Sequence, residues 1–406
     1  MKQHIAVIGG GVIGLSTAYA LIRAGHDVTL IEQNEDVGLG ASYANGGQLS
    51  YRYVSPLADA GIPRQALGWM LKPGSPVSLH LRADPRQWRW MLSFLSACNR
   101  STNRRNAKSL LQLGLEGQAE MAAWRADGLD GYFWRQAGKL VLYRQNKAFR
   151  KAVSAIQDPI LEQALSPAEC AKIEPAFAHL EPDLAGGIFS PEDEVADSYL
   201  FCKALKTSLL SHQKFRFLPG KAALVPETAK RCTLMVDGTR FATDLVVLAA
   251  GLNARDIAAP LGIQLPLYGL KGYSLTLRPS PETLPSVSVT DYDNRIVYAR
   301  LGDALRVAAM VDIGAEDRSL NPNRLVSLRN LVRQTLPGVI AHNIPDTPWT
   351  GLRPATPTGV PIVGHSGCEN LLLNVGHGAL GFTLAAGSAA RIVKMIGQAH
   401  GDGAQK

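Results

Sequence analysis

Residues 4–32 read HIAVIGGGVIGLSTAYALIRAGHDVTLIE, and this stretch decides the fold. An apolar strand, a glycine-rich turn, a helix to about Ala24 and a second apolar strand closing on Glu32 make a complete βαβ unit. Gly9 permits the tight turn, Gly11 lets a pyrophosphate approach the backbone, and Gly14 lets the helix pack closely on the strand. The first-turn N–H groups, from Val12 and Ile13 onward, are placed to receive phosphate oxygens. Glu32, with Gln33 beside it, is positioned to accept both hydroxyls of an adenosine ribose, and an acid there repels a 2′-phosphate. The unit therefore predicts FAD or NAD, not NADP.

With 406 residues, 46% of them apolar and a mean hydropathy near zero, the chain has length for two to three domains and a substantial core, which excludes disorder. It opens Met-Lys-Gln-His and runs straight into a strand, so no signal peptide is expected. Cys98, Cys170, Cys202, Cys232 and Cys368 are scattered, without CxxC and without clustering with histidines. That spacing predicts no disulfide, zinc or iron–sulfur site, hence a metal-free protein of the reducing cytoplasm.

Outward from the first unit, the loop GLGASYANGGQLS (38–50) is too long and glycine-rich for an ordinary turn, and suits backbone lying along a large ligand. A helix is expected over Asp197 to Ser211, followed by short strands KFRFL, AALVPE, TLMVD and TRFATDLVVLAAG, the last ending at Ala250 and Gly251. NLLLNVGHGALGFTLAAGSAARIVKMI (370–396) is a further strand, glycine-rich turn and helix. The fold class is α/β with two domains. A discontinuous Rossmann-like nucleotide domain is expected from 1–55, 196–255 and 346–400. A mostly antiparallel substrate domain is expected from 56–195 and 256–345, with strands KLVLYR, GYSLTL, RIVYAR and LRVAAMV, leaving 401–406 as a tail.

The N-terminal GGGVIG with Glu32, ASYANGGQLS, PLYGLKGYSLTL, DNRIVYARLGDALRVAAMVDIG, WTGLRPATPTGVPIVG and NVGHGALGFTLAAGS occur in order along nearly the whole chain. Together they resemble bacterial FAD-dependent D-amino acid dehydrogenases, relatives of D-amino acid oxidase, glycine oxidase and sarcosine oxidase. The resemblance implies FAD, its adenosine and pyrophosphate on Gly9, Gly11, Val12, Ile13, Gly14, Glu32 and Gln33. It puts the isoalloxazine over Ser42, Asn45, Gly46, Gly47 and Gln48, and brings Val225, Ala250, Gly251, Arg353, Gly376, His377, Gly378, Gly381, Phe382 and Thr383 to the cofactor. A helix N-terminus near Gly381 would stabilise negative charge on the reduced flavin. Relatives that tether FAD use a cysteine ahead of the C-terminal glycine-rich strand or a histidine near the first loop. Thr350, Gly351 and ASYANGG offer neither, and Cys368 lies in the polar turn HSGCEN, so the FAD is expected to be non-covalent.

The reaction implied is oxidative deamination: a neutral amine assists departure of the Cα hydride to flavin N5, and water hydrolyses the imino acid to a 2-oxo acid and ammonia. Such chemistry asks for a carboxylate clamp and a dry pocket, not a nucleophile. Arg353 is the candidate clamp, since a guanidinium fork matches a carboxylate and is costly between apolar residues without an anion; a structural ion pair is the alternative. Tyr273 and Tyr298 are candidates for carboxylate hydrogen bonds or simple core packing, Arg300 for a second anion contact or a surface ion pair, and His377 for proton transfer or a hydrogen bond to flavin. Lys271 either reaches the flavin region through water or is solvated.

Between Arg64 and Lys108 stand nine Lys and Arg against the single acid Asp84, a surplus equal to the whole net charge of +8. The window also holds Trp69, Trp88 and Trp90, and places Trp88, Met91, Leu92, Leu95 and Cys98 on one helical face. Without a nucleic-acid motif, tryptophans beside a basic rim suit an anionic membrane surface better than nucleic acid, with a core-facing helix as the alternative. The expected enzyme is thus a dehydrogenase of D-amino acids, including cyclic ones such as D-proline or hydroxyproline, passing electrons to a quinone or respiratory-chain acceptor at the inner face of the cell membrane. An oxygen-using oxidase of glycine, sarcosine or D-amino acids and an accessory flavin-binding subunit are the other readings.

Overall fold

A computed structural model describes residues 2–63, 75–340 and 345–401, so Arg64, Trp69, Lys72 and the 402–406 tail lie outside the described residues. The strand His4–Ile8 runs parallel between Asp27–Glu32 and Leu245–Leu248, with Ile8 opposite Ile31 and Leu248. Phe215–Pro219 extends this sheet beyond Asp27–Glu32, and Leu371–Val375 followed by antiparallel Ile362–His365 extends it on the other side, making six strands. Both faces are covered, which is why these strands read as continuous apolar runs. The helices Val12–Arg23, Ser198–Leu210 and Gly381–Gly401 seal one face through Leu15, Phe201 and Ala389. On the other face lie Leu224, Cys232 and Leu234 of a three-stranded antiparallel sheet.

A second, nine-stranded sheet stands over the C-terminal edge of the first. Tyr268–Leu277, Ala304–Ile313, Ile296–Leu301 and Ser288–Asp291 are antiparallel neighbours, and Lys139–Tyr143 joins in parallel before the direction alternates again. Its back is packed by Leu325, Leu328 and Val332 of the helix Pro322–Thr335. Two expectations change here. The strand Asp346–Ala355, expected with the nucleotide-binding part, pairs along its whole length with Tyr268–Leu277, from Tyr268 opposite Ala355 to Leu277 opposite Asp346. The stretch TRFATDLVVLAAG is two strands on different sheets, Thr239–Phe241 and Leu245–Leu248.

The long helix Arg100–Ala126 crosses Gly381–Gly401 at glycines: a Cβ on Gly117 would stand 2.9 Å from Thr383 O, and one on Gly387 would strike Leu113 O. Only hydrogen side chains allow that approach. Gly378–Gln398 is long and apolar enough to cross a membrane by composition, but its apolar side is spent on Val12–Arg23 and Arg100–Ala126.

The helix Pro85–Ala97 begins at Asp84, whose side chain accepts from Arg86 N, with Pro85 in the first turn. Its buried face lies away from Trp88, Leu92 and Leu95, so the core-facing alternative does not hold for these three. Gln87, Trp90 and Ala97 point inward; Trp90, 4% exposed, stacks on Phe94 and donates to Ala355 O at 2.9 Å. Trp88, Leu92 and Leu95 face outward, 45%, 65% and 49% exposed.

Candidate functional site

At the C-terminal edge of the parallel sheet, where ligands bind in open α/β folds, a continuous cavity of about 2790 Å³ runs from Gly9–Ile13 to the second sheet. The first turn is built by sterics. Gly9 has φ +113°, and a Cβ there would sit 2.6 Å from Ala249 O, while one on Gly14 would strike Gly9 O. Gly11 differs: its Cβ would meet only Ser42 Oγ at 3.5 Å, so the space beside it is open to the cavity. Gly11, the N-cap of Val12–Arg23, supplies no side-chain cap, and the helix presents its positive end there; Val12 N donates to Ser42 Oγ at 3.1 Å. Glu32 lines the same wall with Gln33, its Oε2 accepting from Gly10 N at 2.5 Å and its Oε1 from Asn34 N at 3.0 Å. A glycine cradle a side chain would fill, a helix N-terminus and a carboxylate at the next strand end fit the pyrophosphate and ribose of a dinucleotide.

The loop from Ser42 to Gln48 borders the cavity and is tied from behind. Asn45 Oδ1 accepts from Gly47 N at 2.9 Å, and Gly47 takes φ +66°. Thr383 Oγ1, in the first turn of Gly381–Gly401, accepts from Ser50 N at 3.3 Å. Ala250, Gly251, Gly376, Gly378, Gly381 and Phe382 continue the lining, with positive φ at Gly251, Gly376 and Gly378. His377 is buried there, its Nε2 without a partner among the described residues, and burial pushes its imidazole down to about 3.

Arg353 lies flat across Gly272, where any Cβ would strike the guanidinium. Its Nη1 donates to Met310 O at 3.3 Å, and among the described residues no carboxylate lies within 4.0 Å of it. Burial alone pulls its pKa below the usual arginine value. Met310 holds φ +65° at an irregularity in the ladder between Lys271 and Tyr273, which turns its carbonyl toward Arg353. A desolvated guanidinium facing a cavity, with no carboxylate near it among the described residues, can take an anion.

Strand parity places three other expected residues, Tyr298, Arg300 and Val225, outside the cavity lining, and turns the hydroxyl of a fourth, Tyr273, away from it. On Tyr268–Leu277 the positions Leu270, Gly272, Tyr273 and Ser274 line the cavity, but the OH of Tyr273 is turned away from it and donates to Asp312 Oδ2 at 2.8 Å. Tyr298 is fully buried on the back of Ile296–Leu301, hydrogen-bonded to Thr335 and edge-on to Phe177. Arg300 shares that side, donating to Gly302 O at 3.2 Å, and does not line the cavity. Val225, half-exposed, alternates with buried Leu224 and stands outside the lining. Lys271 is buried and paired with Asp317 at 2.8 Å, not solvated.

Two residues escaped the sequence reading. Arg306 is buried and reaches Asn45 O at 2.9 Å, Thr276 Oγ1 at 2.9 Å and Asp197 Oδ2 at 3.4 Å, clamping the glycine-rich loop to the second sheet. Lys139 donates to Gln48 Oε1 at 3.0 Å and Ser50 Oγ at 2.8 Å; burial pulls its ammonium down and lifts the carboxyl of nearby Asp193. Arg306 is the lone cation inside the apolar run ALRVAAMV, which was an available signal, whereas Lys139 opens KLVLYR next to Gly138 and carries no such mark.

A family model described as FAD dependent oxidoreductase matches residues 4–395. D-amino acid dehydrogenase 2 of Pseudomonas aeruginosa is 50% identical over 402 residues, covering 98% of this chain and 96% of that protein. D-amino acid dehydrogenase of Paramagnetospirillum magneticum is 34% identical, covering 97% and 95%. Among solved structures, glycine oxidase from Geobacillus kaustophilus superposes with a TM-score of 0.74 at 22% identity, covering 97% of this chain and 95% of that one. The glycine cradle, the acidic strand end and the match over nearly the full length agree: this chain belongs to the FAD dependent oxidoreductases.

Proposed function

We propose that this protein dehydrogenates D-amino acids, with a non-covalently held FAD in the cavity and a membrane quinone as electron acceptor. The observation that carries the reading is the guanidinium of Arg353, set on the wall of the dinucleotide cavity with no ion-pair partner among the described residues. The name of the 50% identical relative supports the substrate class. Gly9, Gly11, Val12, Ile13, Gly14, Glu32 and Gln33 would hold the adenosine and pyrophosphate. Ser42, Asn45–Gln48, Ala250, Gly251 and Gly376–Thr383 would hold the rest of the cofactor.

FAD, when bound, supplies a two-electron acceptor for the hydride of the substrate Cα. Arg353 takes the substrate carboxylate through paired charge-assisted hydrogen bonds and so fixes the direction of the Cα–H bond. The same cation, in a water-poor wall, disfavours a protonated amine next to it and favours the neutral form whose lone pair assists. Anaerobic mixing with D-amino acids, their L-enantiomers, glycine and sarcosine tests the assignment. Bleaching of the flavin by D-enantiomers alone is expected; equal rates with L-enantiomers overturn it, and stoichiometric hydrogen peroxide in air without added acceptor would make the protein an oxidase.

His377, held neutral down to about pH 3, has no proton to gain or lose across the working range. Its neutral form is already present at pH 5 and above, so no step in the pH profile of kcat/KM between pH 5 and 9 belongs to it. His377→Gln is expected to leave the inflections of that profile in place; a shift of its acidic limb would make His377 a titrating participant.

The outward Trp88, Leu92 and Leu95 with the surrounding arginines support peripheral binding to an anionic bilayer at the cytoplasmic side. Each arginine near the surface adds about 1 kcal/mol. The double variant Trp88→Glu, Leu92→Glu is expected to stay folded, because neither side chain is buried, and to stop sedimenting with phosphatidylglycerol vesicles. Turnover with vesicle-borne quinone should slow while turnover with a soluble dye is spared. Undiminished sedimentation of the folded variant would move the lipid contact elsewhere.

A further inference from the structure

The helix Pro85–Ala97 has two unlike faces, and both matter. Trp88, Leu92 and Leu95 are turned to the outside, while Trp90 and Phe94 form part of the cavity wall. The next helix, Arg100–Ala126, contributes Arg100, Arg104, Lys108, Leu111 and Leu115 to the same wall at helical spacing. Read from the start of that helix inward, the stripe changes from cationic to apolar. A single ligand pocket usually spans ~300–1,000 Å³, whereas this cavity holds about 2790 Å³. Its volume accommodates more than a cofactor and a small amino acid. A polar amino acid has no need of an apolar corridor. A lipid-soluble reactant does.

We infer that this stripe is the portal through which a membrane-dissolved para-quinone enters the cavity from the bilayer side. The inference rests on the acceptor class stated under Proposed function and adds where that acceptor is admitted. Arg100 and Arg104 lie at the depth of lipid phosphates when the Trp88 face is docked, and Leu111 and Leu115 receive the apolar ring and tail once past them. The electron balance closes: the amino acid gives up two electrons and two protons on becoming an imine, and the quinone takes two electrons and two protons on becoming a quinol that returns to the bilayer. The amino acid, held by Arg353 on the second sheet, and the acceptor then meet the cavity by different approaches.

The test uses the holoenzyme on phosphatidylglycerol vesicles that carry an azido-benzoquinone with an isoprenoid tail, irradiated and mapped by peptide mass spectrometry. Label within residues 100–115, suppressed by excess unlabelled quinone, is the expected result. Leu111→Trp, which fills the corridor, should lower that labelling about tenfold, the equivalent of roughly 1.4 kcal/mol of binding, with vesicle sedimentation unchanged. Arg104→Glu, at an exposed position, keeps the test independent of core packing and should lower labelling too. Competable label confined to cavity residues outside 100–115, such as Tyr143 and Tyr292 of the lining, label that excess quinone does not suppress, or full labelling of both variants overturns the portal. The anaerobic panel reads the other question separately: a flavin bleached by D-amino acids in a protein that labels elsewhere leaves the dehydrogenase reading standing and removes only this one.

Discussion

Replacing Arg353 with leucine is expected to lower kcat/KM for D-amino acids by a few hundred- to a few thousand-fold, on the order of 3–5 kcal/mol of transition-state binding. The figure follows from removing two charge-assisted hydrogen bonds to a carboxylate that would otherwise enter a desolvated wall unpaired. The fold should not suffer, because Arg353 carries no ion pair among the described residues and its bond to Met310 O is long, at 3.3 Å. Removing a guanidinium that burial already disfavours even relieves a desolvation cost. FAD should remain bound and visible. Steady-state kinetics with flavin content measured on the same preparation checks both halves, and activity within about threefold of the parent, equivalent to roughly 0.7 kcal/mol, would withdraw the clamp.

Gly11→Val is expected to yield a folded protein without yellow colour. A Cβ at Gly11 meets only Ser42 Oγ at 3.5 Å, and its backbone, φ −79° and ψ 179°, suits any residue. The valine methyls instead take up space on the cavity side where a pyrophosphate would lie, and the affinity for FAD should fall on the order of 100-fold or more. Gly14→Ala is the contrast. Its Cβ strikes Gly9 O inside the strand–helix contact, so that variant should lose its cooperative thermal transition whether or not FAD is supplied. Flavin absorbance and circular dichroism on the two variants separate cradle from scaffold. Full flavin content in Gly11→Val would displace the cofactor assignment.

The order of local elements was legible in the sequence because each is fixed by short-range pattern. The run HIAVI–GGGVIG–DVTLIE specifies strand, turn and strand through glycine sterics and apolar continuity alone, and the structure has these elements where the pattern puts them. For Arg353 the sequence carried only the need of a cation between apolar residues and proline for an anion, whether a side chain or a substrate.

What only the tertiary structure decided is which side of a strand or helix faces the ligand. Along Tyr268–Leu277 and Ile296–Leu301 a shift of one position exchanges cavity for core, and both faces of this sheet are apolar, one against the helix Pro322–Thr335 and the other against the cavity. With no polar face to set the parity, Tyr273, Tyr298 and Arg300 looked equivalent to Gly272 and Arg306 in the sequence. The same ambiguity left open whether the Trp88 face of Pro85–Ala97 turns outward or to the core, because both Trp88 and Trp90 satisfy helical spacing and only the Ala355 carbonyl, more than two hundred residues away, draws Trp90 inward. The strand Asp346–Ala355 went to the larger sheet through its ladder with Tyr268–Leu277. Pairing between distant segments depends on which edges are free, and no local stretch of sequence carries that information.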